Sequence, residues 1–463
     1  MKYSKLLESI KGKISELLEQ DVEICLNTVM ATAIENWAAM YADEPAWLSR
    51  KKGIRSAGLP CAIAAELARL VTLEFKSTVS DKDIDAAYQK ALKSLRVQTE
   101  YACALGGMVF KPYPVDNGVN VQFIRANCFL PISFDGAESL TGCAFVEQIS
   151  LGKKTHTRLE VHTLESAGLR VRNAAYMSTN KELIGNAAPL DAVPQWAELE
   201  ADGFFPNANK MPFGYFKIPL ANTIDPDSPL GVSVYSRADN LIQEADRRYS
   251  NECWEFEATQ AAVHIAEGML KKEKATGNFV YPEGRERLYR VLEYSTGAVD
   301  KPLIDPFLPE IRQESIEKGY QAQLKRIEFE CGLAYGTLSD PQSTDKTAEE
   351  IKASKQRSYA TVTDIQMALE TALRDLVDAI AFWLKKPTNG YEITFAWDDS
   401  IITDSNALAN RKLLEYQAGL IDEVEYFMAV YGKDKAAADE LVKEMQARKP
   451  KTTVPSDPFG GGV

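Results

Sequence analysis

The sequence predicts an α+β protein that is mainly helical, and three observations of periodicity support this class. Apolar residues recur three and four positions apart over residues 2–93, which is the spacing of amphipathic helices. Between residues 101 and 218 they alternate with polar residues, in runs separated by glycines, which is typical of an antiparallel sheet. After residue 235 three long helical patterns follow. Helices grouped before and after one antiparallel sheet indicate an α+β fold.

Length and composition favour a folded, soluble protein. With 463 residues the chain is long enough for roughly two to four substructures around a sizeable interior. Its content of 45% apolar and 26% charged residues is ordinary globular usage, which argues against a disordered or fibrous protein. The amphipathic first segment lacks the apolar stretch of a signal peptide, and no run of eighteen apolar residues occurs. We therefore expect a soluble protein that is made in the cytoplasm and spans no membrane.

Charge and reactive side chains limit the chemistry that the chain can carry. A formal net charge of −13 repels phosphates, which argues against a tight, sequence-reading DNA-binding protein but not against DNA that slides past. The seven cysteines, from Cys25 to Cys331, include no CxxC pair, so we expect reduced thiols in the core and no zinc site. Three histidines, His156, His162 and His264, leave few of the commonest acid–base groups. No cofactor is predicted.

The first half of the chain is predicted to form helices followed by a sheet. Residues 2–93 have the helical pattern, and Ser80 begins one of these helices. The run "GGMVFKPYPVDNGVNVQFI" alternates around Asn117-Gly118, which predicts a hairpin. Further alternating runs continue to residue 218, where the Pro-, Asp- and Gly-rich stretch "NTIDPDSPLGVSVY" marks a boundary.

Two long helices with a small insert between them are predicted next. The first begins near Ser236 and ends near Ala258, and the second covers residues 309–331. The apolar stripe of the first is Ala238, Leu241, Ala245, Tyr249, Cys253 and Phe256, and that of the second is Ile316, Tyr320, Leu324 and Ile327. Short strand-like runs such as "AVHIAEGML" and "LYRVLEY" indicate a β-rich insert at residues 259–308.

The stretch "YGTLSDPQSTDKTAEEI" separates the second long helix from a third. Gly336 is predicted to end the preceding helix and Pro341 to prevent its continuation, while the small polar residues predict a mobile loop. Thr347 and Glu350 form a capping box for the third helix, which reaches about 55–60 Å. Its apolar stripe is Val362, Ile365, Leu369, Leu373, Leu376, Ile380 and Trp383.

The end of the chain is predicted to form one strand, further helices and a tail. The run "YEITFAWDDSI" alternates as a strand does, and residues 404–448 return to the helical pattern. Residues 449–463 contain Pro, Thr and Gly with little to bury, so we expect disorder there.

Catalytic signatures are weak in this sequence. Gly152-Lys153-Lys154-Thr155 lacks the upstream glycine of a phosphate-binding loop and lies between two strands, so we interpret it as a hairpin turn. Asp398 and Asp399 are compatible with a metal-dependent nuclease or hydrolase, although adjacent strand residues point to opposite faces and no third ligand is evident. We favour the interpretation without a metal.

Other polar residues have a simple structural interpretation and a functional alternative. His156 and His162 share one strand face but lie about 20 Å apart, so we interpret them as polar sheet positions and not as a metal pair. Single arginines on helices are usually solvated or salt-bridged, and this applies to Arg55, Arg69, Arg247 and Arg248. The basic run Lys271, Lys272 and Lys274 is either a solvated turn or a contact for a partner or phosphate.

The order of elements resembles the portal proteins of tailed bacteriophages, in the branch found in siphophages of Gram-positive hosts. Three segments in the same order carry the resemblance: "PDSPLGVSVYSRADNLIQEADRRYSNECWEFE", "PEIRQESIEKGYQAQLKRIEFECGLAYGTLSD" running into "KTAEEIKASKQRSYATVTDIQ", and "YEITFAWDDSIITD". The resemblance covers most of the chain.

The resemblance implies a division of the chain into named parts. Residues 1–225 look like the wing, 226–258 and 309–332 like the two stem helices, and 259–308 like the clip. Residues 333–347 would be the tunnel loop, 348–403 the spine helix with a strand returning to the wing, 404–448 a short crown, and 449–463 a disordered tail.

The resemblance also implies a structural function without enzymatic activity. Portal proteins form rings of twelve copies at one capsid vertex, through which double-stranded DNA is packaged and ejected. The implied partners are the terminase large subunit, the head-tail connector, and the major capsid and scaffolding proteins. The protein would be assembled in the host cytoplasm and become part of the virion. A metal-dependent nuclease and a monomeric interaction scaffold remain alternatives.

Two sets of site residues follow from the resemblance. The tunnel-loop residues expected to face DNA are Ser339, Asp340, Gln342, Ser343, Thr344, Asp345 and Lys346. Their hydroxyl and amide groups would touch the duplex weakly, without the grip of arginine. Lys271, Lys272 and Lys274 in the clip would contact terminase or the connector. A plain helix–helix connector on an outer surface is the alternative for the loop.

Overall fold

The computed structural model describes most of the chain as two compact units, residues Met1–Ala396 and Trp397–Val463. The described residues are 3–20, 25–48, 53–116, 118–135, 139–226, 228–266, 273, 277–278, 280, 289–292, 304–341, 348–387, 390–397, 405–431 and 435–448. The predicted α+β class is confirmed, since helices precede and follow a block of antiparallel strands.

Helices and strands have the following bounds. The helices are α1 (Tyr3–Leu18), α2 (Thr28–Tyr41), α3 (Leu59–Val71), α4 (Lys82–Leu92), α5 (Leu95–Leu105), α6 (Asp239–Ala258), α7 (Gln313–Glu330), α8 (Ala348–Trp383), α9 (Ser405–Gln417), α10 (Glu423–Tyr431) and α11 (Lys435–Arg448). The strands are β1 (Lys76–Val79), β2 (Gly107–Val115), β3 (Gly118–Arg125), β4 (Phe129–Phe134), β5 (Leu140–Leu151), β6 (Lys154–Glu165), β7 (Gly168–Ser178), β8 (Asn186–Ala188), β9 (Asp202–Pro206), β10 (Gly214–Lys217), β11 (Ala262–Ala266), β12 (Tyr289–Leu292), β13 (Ile304–Phe307) and β14 (Ile393–Ala396).

The N-terminal helices are capped by side chains that the sequence supplies at the right positions. Asn27 accepts the N–H of Met30 at the start of α2, and Asp81 accepts two N–H groups at the start of α4. The helical prediction for residues 2–93 was wrong at β1, because this four-residue strand pairs with β14, more than 300 positions further along the chain. Local periodicity carries no information about such a distant partner.

Two antiparallel sheets form the middle of the first unit. One has the order β10-β2-β3, and its β2–β3 pair, from Met108–Arg125 to Val115–Gly118, confirms the predicted hairpin. The other has the order β4-β5-β6-β7-β8, with β9 also paired to β7. The turn between β5 and β6 has Gly152 in the left-handed region, with a φ of 63°, and this confirms the interpretation of the Gly-Lys-Lys-Thr stretch as a hairpin turn.

Helices α6 and α7 pack against each other, with the strands β11 to β13 between them in the chain. The predicted stripe of α6 was only partly right, because Phe256 is 43% exposed while Asp246 and Glu255 are buried. The buried acids have partners: Asp246 accepts the Trp47 Nε1–H at 2.9 Å, and Glu255 accepts the Arg312 guanidinium at 2.7 Å. An apolar pattern could not identify a helix face that is buried through hydrogen bonds.

Helix α8 is the longest element described, and its 36 residues extend about 54 Å. Its predicted apolar stripe is confirmed, since every member from Val362 to Ile380 is buried and Trp383 is partly buried. The helix lies directly against β10, where a Cβ on Gly214 would be 2.1 Å from the carbonyl oxygen of Ala372. Only glycine allows this close approach of a strand to a helix backbone.

The burial of the cysteines can be compared with the prediction. All seven cysteines are free thiols, but Cys61 is exposed, so the expectation that the thiols lie in the core was wrong there. Cys103, Cys143 and Cys331 are buried. Among the described residues, no helix combines the length and the apolar character that crossing a bilayer requires.

Candidate functional site

The connection between α7 and α8 begins with a turn that is held by a buried carboxylate. Glu328, in the last turn of α7, is fully buried. Its Oε1 accepts the backbone N–H groups of Gly336, Leu338 and Ser339 at 3.1, 2.6 and 2.8 Å, and its Oε2 accepts the Ser339 hydroxyl at 2.9 Å. Four donors thus converge on one side chain, and we call residues 332–341 with Glu328 the loop bracket.

The local fold brings the bracket back onto α7. Helix α7 ends at Glu330, where the N–H of Leu333 donates to the carbonyl of Glu328 at 2.8 Å and Gly332 has a φ of 69°. This is the hydrogen bond of a left-handed helix stop, which requires glycine. The prediction that Gly336 ends the helix was therefore wrong, although Gly336 also has a positive φ, 90°, where the turn passes beside Pro341.

Side chains of α7 and α8 hold the bracket from two further directions. Gln321 accepts the N–H of Asp340 at 2.7 Å. The guanidinium carbon of Arg357, on α8, lies 4.3 Å from the ring centroid of Phe329 and 5.3 Å from that of Tyr335, which is within the range of cation–π attraction. A Cβ on Gly332 would be 2.3 Å from Thr361 Oγ1, so the turn lies directly on α8.

The predicted loop residues divide into those that the structure describes and those that it does not. Ser339 is 4% exposed and donates its hydroxyl to Glu328, so our expectation that this hydroxyl faces outward was wrong. Asp340 is exposed. Five further loop residues, Gln342, Ser343, Thr344, Asp345 and Lys346, lie outside the described residues. So do Lys271, Lys272 and Lys274, and so do Asp398 and Asp399.

The two sheet histidines are buried, and one of them belongs to a charge cluster. His162 donates its Nε2–H to Glu160 at 2.6 Å, and Glu160 also contacts Lys111 and Arg158. Burial alone would raise the pKa of Glu160, but these three neighbours outweigh it and hold that pKa well below its ordinary value. Burial lowers the pKa of His162 despite the carboxylate, so its imidazole is neutral near pH 7.

This cluster joins the two sheets. Lys111 lies on β2 and Glu160 on β6, so their ion pair crosses from one sheet to the other. His156 is buried as well, and the view of both histidines as ordinary polar sheet positions therefore missed their burial. In the described part of the chain, no group of three or more His, Cys, Asp or Glu side chains is placed to hold a metal ion.

The four singled-out arginines are salt-bridged, as predicted. Arg55 pairs with Glu257, Arg69 with Glu66, and both Arg247 and Arg248 with Glu244. Arg248 also donates to the carbonyl of Gly319 and so links α6 to α7.

Sequence reasoning missed the residues that build the bracket, Glu328, Gln321 and Arg357. A signal for Glu328 was present, since it lies next to Ile327 and four residues after Leu324, on the apolar side of α7. An acid on that side needs a partner. The backbone amides at residues 336–339 that donate to Glu328 could not be predicted from the sequence. Which amides return to α7 depends on how the chain reverses at Gly332.

Comparison with protein-family models identifies the class and the family of the chain. Residues 88–450 match the model described as phage portal protein, SPP1 Gp6-like, so the chain belongs to this family of phage portal proteins. The predicted resemblance to portal proteins is confirmed, while the type of host stays a prediction. A comparison with curated proteins gives no match.

Among solved structures, the chain is similar to one from the neck of a native GTA particle computed with C12 symmetry. The two are 12% identical, the match covers 86% of this chain and 98% of that one, and the TM-score is 0.42.

Proposed function

We propose that the protein forms a ring at one vertex of a phage capsid and that double-stranded DNA passes through this ring during packaging and ejection. The observation that carries the proposal is the family membership across residues 88–450. The role is structural and mechanical, and the protein acts as a component of the virion without catalysing a reaction. The ring contains about twelve copies, which is the number that the resemblance to portal proteins implies. Identical chains in a closed cyclic assembly bury the surfaces that one copy leaves open.

The parts of the ring are proposed from the order of elements. Residues 1–225 with β14 form the wing, α6 and α7 the stem, residues 259–308 the clip, and α8 the spine. Residues 404–448 form a short crown. The tunnel loop is the connection from α7 to α8, with its contacts to DNA made by Asp340 and by residues 342–346.

The charge of the chain supports a channel that DNA passes without being held. A net charge of −13 gives no general attraction for phosphates, and a strong grip at each step would slow sliding. Lys271, Lys272 and Lys274 are proposed to contact the terminase large subunit during packaging and the connector afterwards. The major capsid and scaffolding proteins surround the ring during assembly.

Native mass measurement of the purified protein tests the ring most directly. We expect a particle of about twelve chains. A monomer at micromolar concentration would contradict the proposal and favour an interaction scaffold.

Asp398→Asn combined with Asp399→Asn tests the nuclease alternative. We expect no nuclease activity before or after the change. An activity that these substitutions abolish would contradict a purely structural role.

Shortening the loop tests its contact with DNA. Because Ser339 belongs to the bracket, the deletion should spare it and remove only residues 342–345. We expect rings and empty capsids to form, while DNA packaging or retention falls. The control replaces the same four positions by Gly and Ser at the original length. Normal filling and retention with the deletion would contradict the proposed contact.

A further inference from the structure

We infer that neighbouring copies of the chain join two β-sheets edge to edge: strand β5 of one copy, at residues 148–151, pairs with the free edge of β14 in the next copy. This pairing rests on the proposed function, since it names surfaces through which copies of the ring meet. Both surfaces can be recognised in a single chain, because over these residues each strand is paired with another described strand on one side only.

The free edge of β14 follows from its register with β1. The two strands form a two-stranded sheet, next to which Ser80 donates its N–H to the carbonyl of Glu392 at 3.0 Å. Backbone groups in an antiparallel pair point alternately toward and away from the partner, so those of Ile393 and Phe395 point away from β1. Among the described residues, these two N–H and two C=O groups have no hydrogen-bond partner. Strand β14 therefore offers two donors and two acceptors to an added strand.

A groove of about 600 Å³ lies along β14 and is lined on its other side by α8. Asp378 of α8 already has two partners, the Lys210 ammonium at 3.2 Å and the Tyr391 hydroxyl at 2.6 Å. The carboxylates of Asp375 and Glu392 also line the groove, and they make no hydrogen bond or ion pair with the described residues. The groove thus has room for an added segment, and its two unpaired negative charges favour a basic one.

The same chain carries a strand with a matching edge. Strand β4 pairs with β5 only as far as Phe145, so the rest of β5 has β6 on one side and no described strand on the other. The two-residue turn makes Leu151 and Lys154 a hydrogen-bonded pair, and the alternation then places the backbone groups of Gln148 and Ser150 on the free side. These groups also have no partner among the described residues. On both edges the outward residues are two positions apart, so the two edges can exchange four hydrogen bonds.

Charge determines the orientation of the two strands. The turn at residues 152–154 contains two exposed lysines. In an antiparallel pairing with Ser150 opposite Ile393, this turn extends toward Glu392 and the acidic groove. A parallel pairing would bring the lysines to the other end of β14, where β1 contributes Lys76. Like charges at adjacent strand positions are unfavourable, so the pairing is antiparallel. The two edges are different surfaces, as a head-to-tail contact in a ring requires.

Proline at Ser150 tests the strand pairing. Ser150 is exposed and its N–H points away from β6, so proline removes a donor of the free edge and none of the hairpin. In native mass measurements over a dilution series, we expect Ser150→Pro rings to dissociate at a protein concentration about tenfold higher than the wild type. Ser150→Ala keeps the N–H and should dissociate like the wild type. Circular dichroism shows whether each variant is folded, and wild-type dissociation of folded Ser150→Pro would overturn the pairing.

Exchange of charges tests which edges meet and changes only exposed side chains. Lys153→Glu and Glu392→Lys should each raise the protein concentration at which the ring dissociates. The chain with both changes should return toward the wild type, because every contact regains an opposite pair. Lys181→Glu and Glu165→Lys make the same changes of charge at exposed positions elsewhere and should have no effect. Additive weakening in the doubly changed chain would overturn this choice of edges, and the result does not depend on whether Ser150→Pro folds.

Amide hydrogen exchange resolved to single residues separates the strand pairing from the proposed function. When the full-length protein assembles, exchange at Ile393 and Ser150 should slow by about tenfold or more, while Thr394, whose N–H faces β1, should change little. A ring in which Ile393 and Ser150 exchange as fast as in the dissociated chain would overturn the pairing and leave the ring itself supported. A chain that stays monomeric at every concentration would contradict the proposed function together with the pairing. Slowing that occurs only after another capsid protein is added would overturn the second copy as the occupant of this edge.

Discussion

At the scale of single residues, buried carboxylates organise this protein at two separate places. Glu328 accepts the amides of a turn, and Glu160 lies among Lys111, Arg158 and His162. Neither acid is exposed, and each has enough donors to satisfy both of its oxygens. The ion pairs of Glu160 with Lys111 and Arg158 contribute to stability only while Glu160 is ionised, because both are made to its carboxylate.

Stability should therefore depend on pH through Glu160. Because the folded pKa of Glu160 is held below its unfolded value of about 4.3, its contribution is fully present above that pH and is lost as the pH falls toward the folded pKa. His162, whose folded pKa is also lowered, adds a loss that starts near its unfolded pKa of about 6.5. In thermal melts, the difference in Tm between wild type and Glu160→Gln should persist from pH 7 down to about pH 4.3 and shrink below that pH.

The control for this pH effect lies on the same strand. Glu165→Gln removes an exposed carboxylate at the end of β6, and its Tm should follow that of the wild type at every pH. A constant difference between wild type and Glu160→Gln from pH 7 to pH 3 would contradict the role assigned to Glu160.

At the scale of elements, helix α8 packs against several other helices and strands of the first unit. One side of it packs on β10 and β2, and Gln366 donates to the carbonyl of Val71 at the end of α3. The opposite side is exposed, as Met367 shows at 66%. The same substitution can therefore be made once on the buried side and once on the exposed side of this helix, at residues that lie close together in the sequence.

Leu369→Asp should destabilise the protein strongly, and Met367→Asp should not. Leu369 is fully buried, so a charge there costs roughly 3–5 kcal/mol, whereas a charge at an exposed position changes stability by about 0.5 kcal/mol or less. Denaturant unfolding followed by circular dichroism would measure both variants. Equal unfolding midpoints for the two would show that this side of α8 is not the core.

The sequence allowed α8 to be predicted because a stripe of seven apolar residues repeats with the helical period, and every turn adds to the signal. It did not allow β1 to be predicted, since four residues are too few for a pattern and the partner strand is distant. The buried side of α6 was partly missed because Asp246 and Glu255 are buried through hydrogen bonds. At the site, the glycines and the proline predicted a turn, but the acceptor that holds it comes from the preceding helix.

At the scale of the whole molecule, the second unit leaves several large apolar side chains exposed. Among those of its residues whose burial the structure describes, only Ala438 and Val442 are buried apolar side chains. Leu420, Leu414 and Tyr431 are 75%, 65% and 59% exposed. A helical unit of this size rarely buries enough apolar surface to be stable alone. In the proposed ring, the identical units of neighbouring copies are available to cover such side chains.

A cyclic ring requires two different patches on each copy, since the contacts run head to tail. The second unit offers apolar side chains at both ends of α10. Leu420 precedes the helix, and Tyr431 is its last residue, about 12 Å along the helix from its first residue. The rings of Tyr416, Tyr426, Phe427 and Tyr431 contact one another in series, and the outer two are exposed. Aromatic side chains of this kind are enriched where proteins contact each other.

Leu420→Asp should therefore weaken the ring without unfolding the chain. Burying one leucine is worth about 1.5–3 kcal/mol, so removing it and adding a charge should weaken each contact between copies roughly tenfold to a hundredfold. Native mass measurement over a dilution series would detect this as dissociation at higher protein concentration, and circular dichroism would report the helical content of the chain. Gln417→Asp, an exposed polar position at the end of α9, places the same charge nearby and should leave the dissociation curve unchanged. If Leu420→Asp rings persisted to the same dilution as the wild type, the next copy would not cover this residue, and the second unit would have to be stabilised by another protein of the capsid.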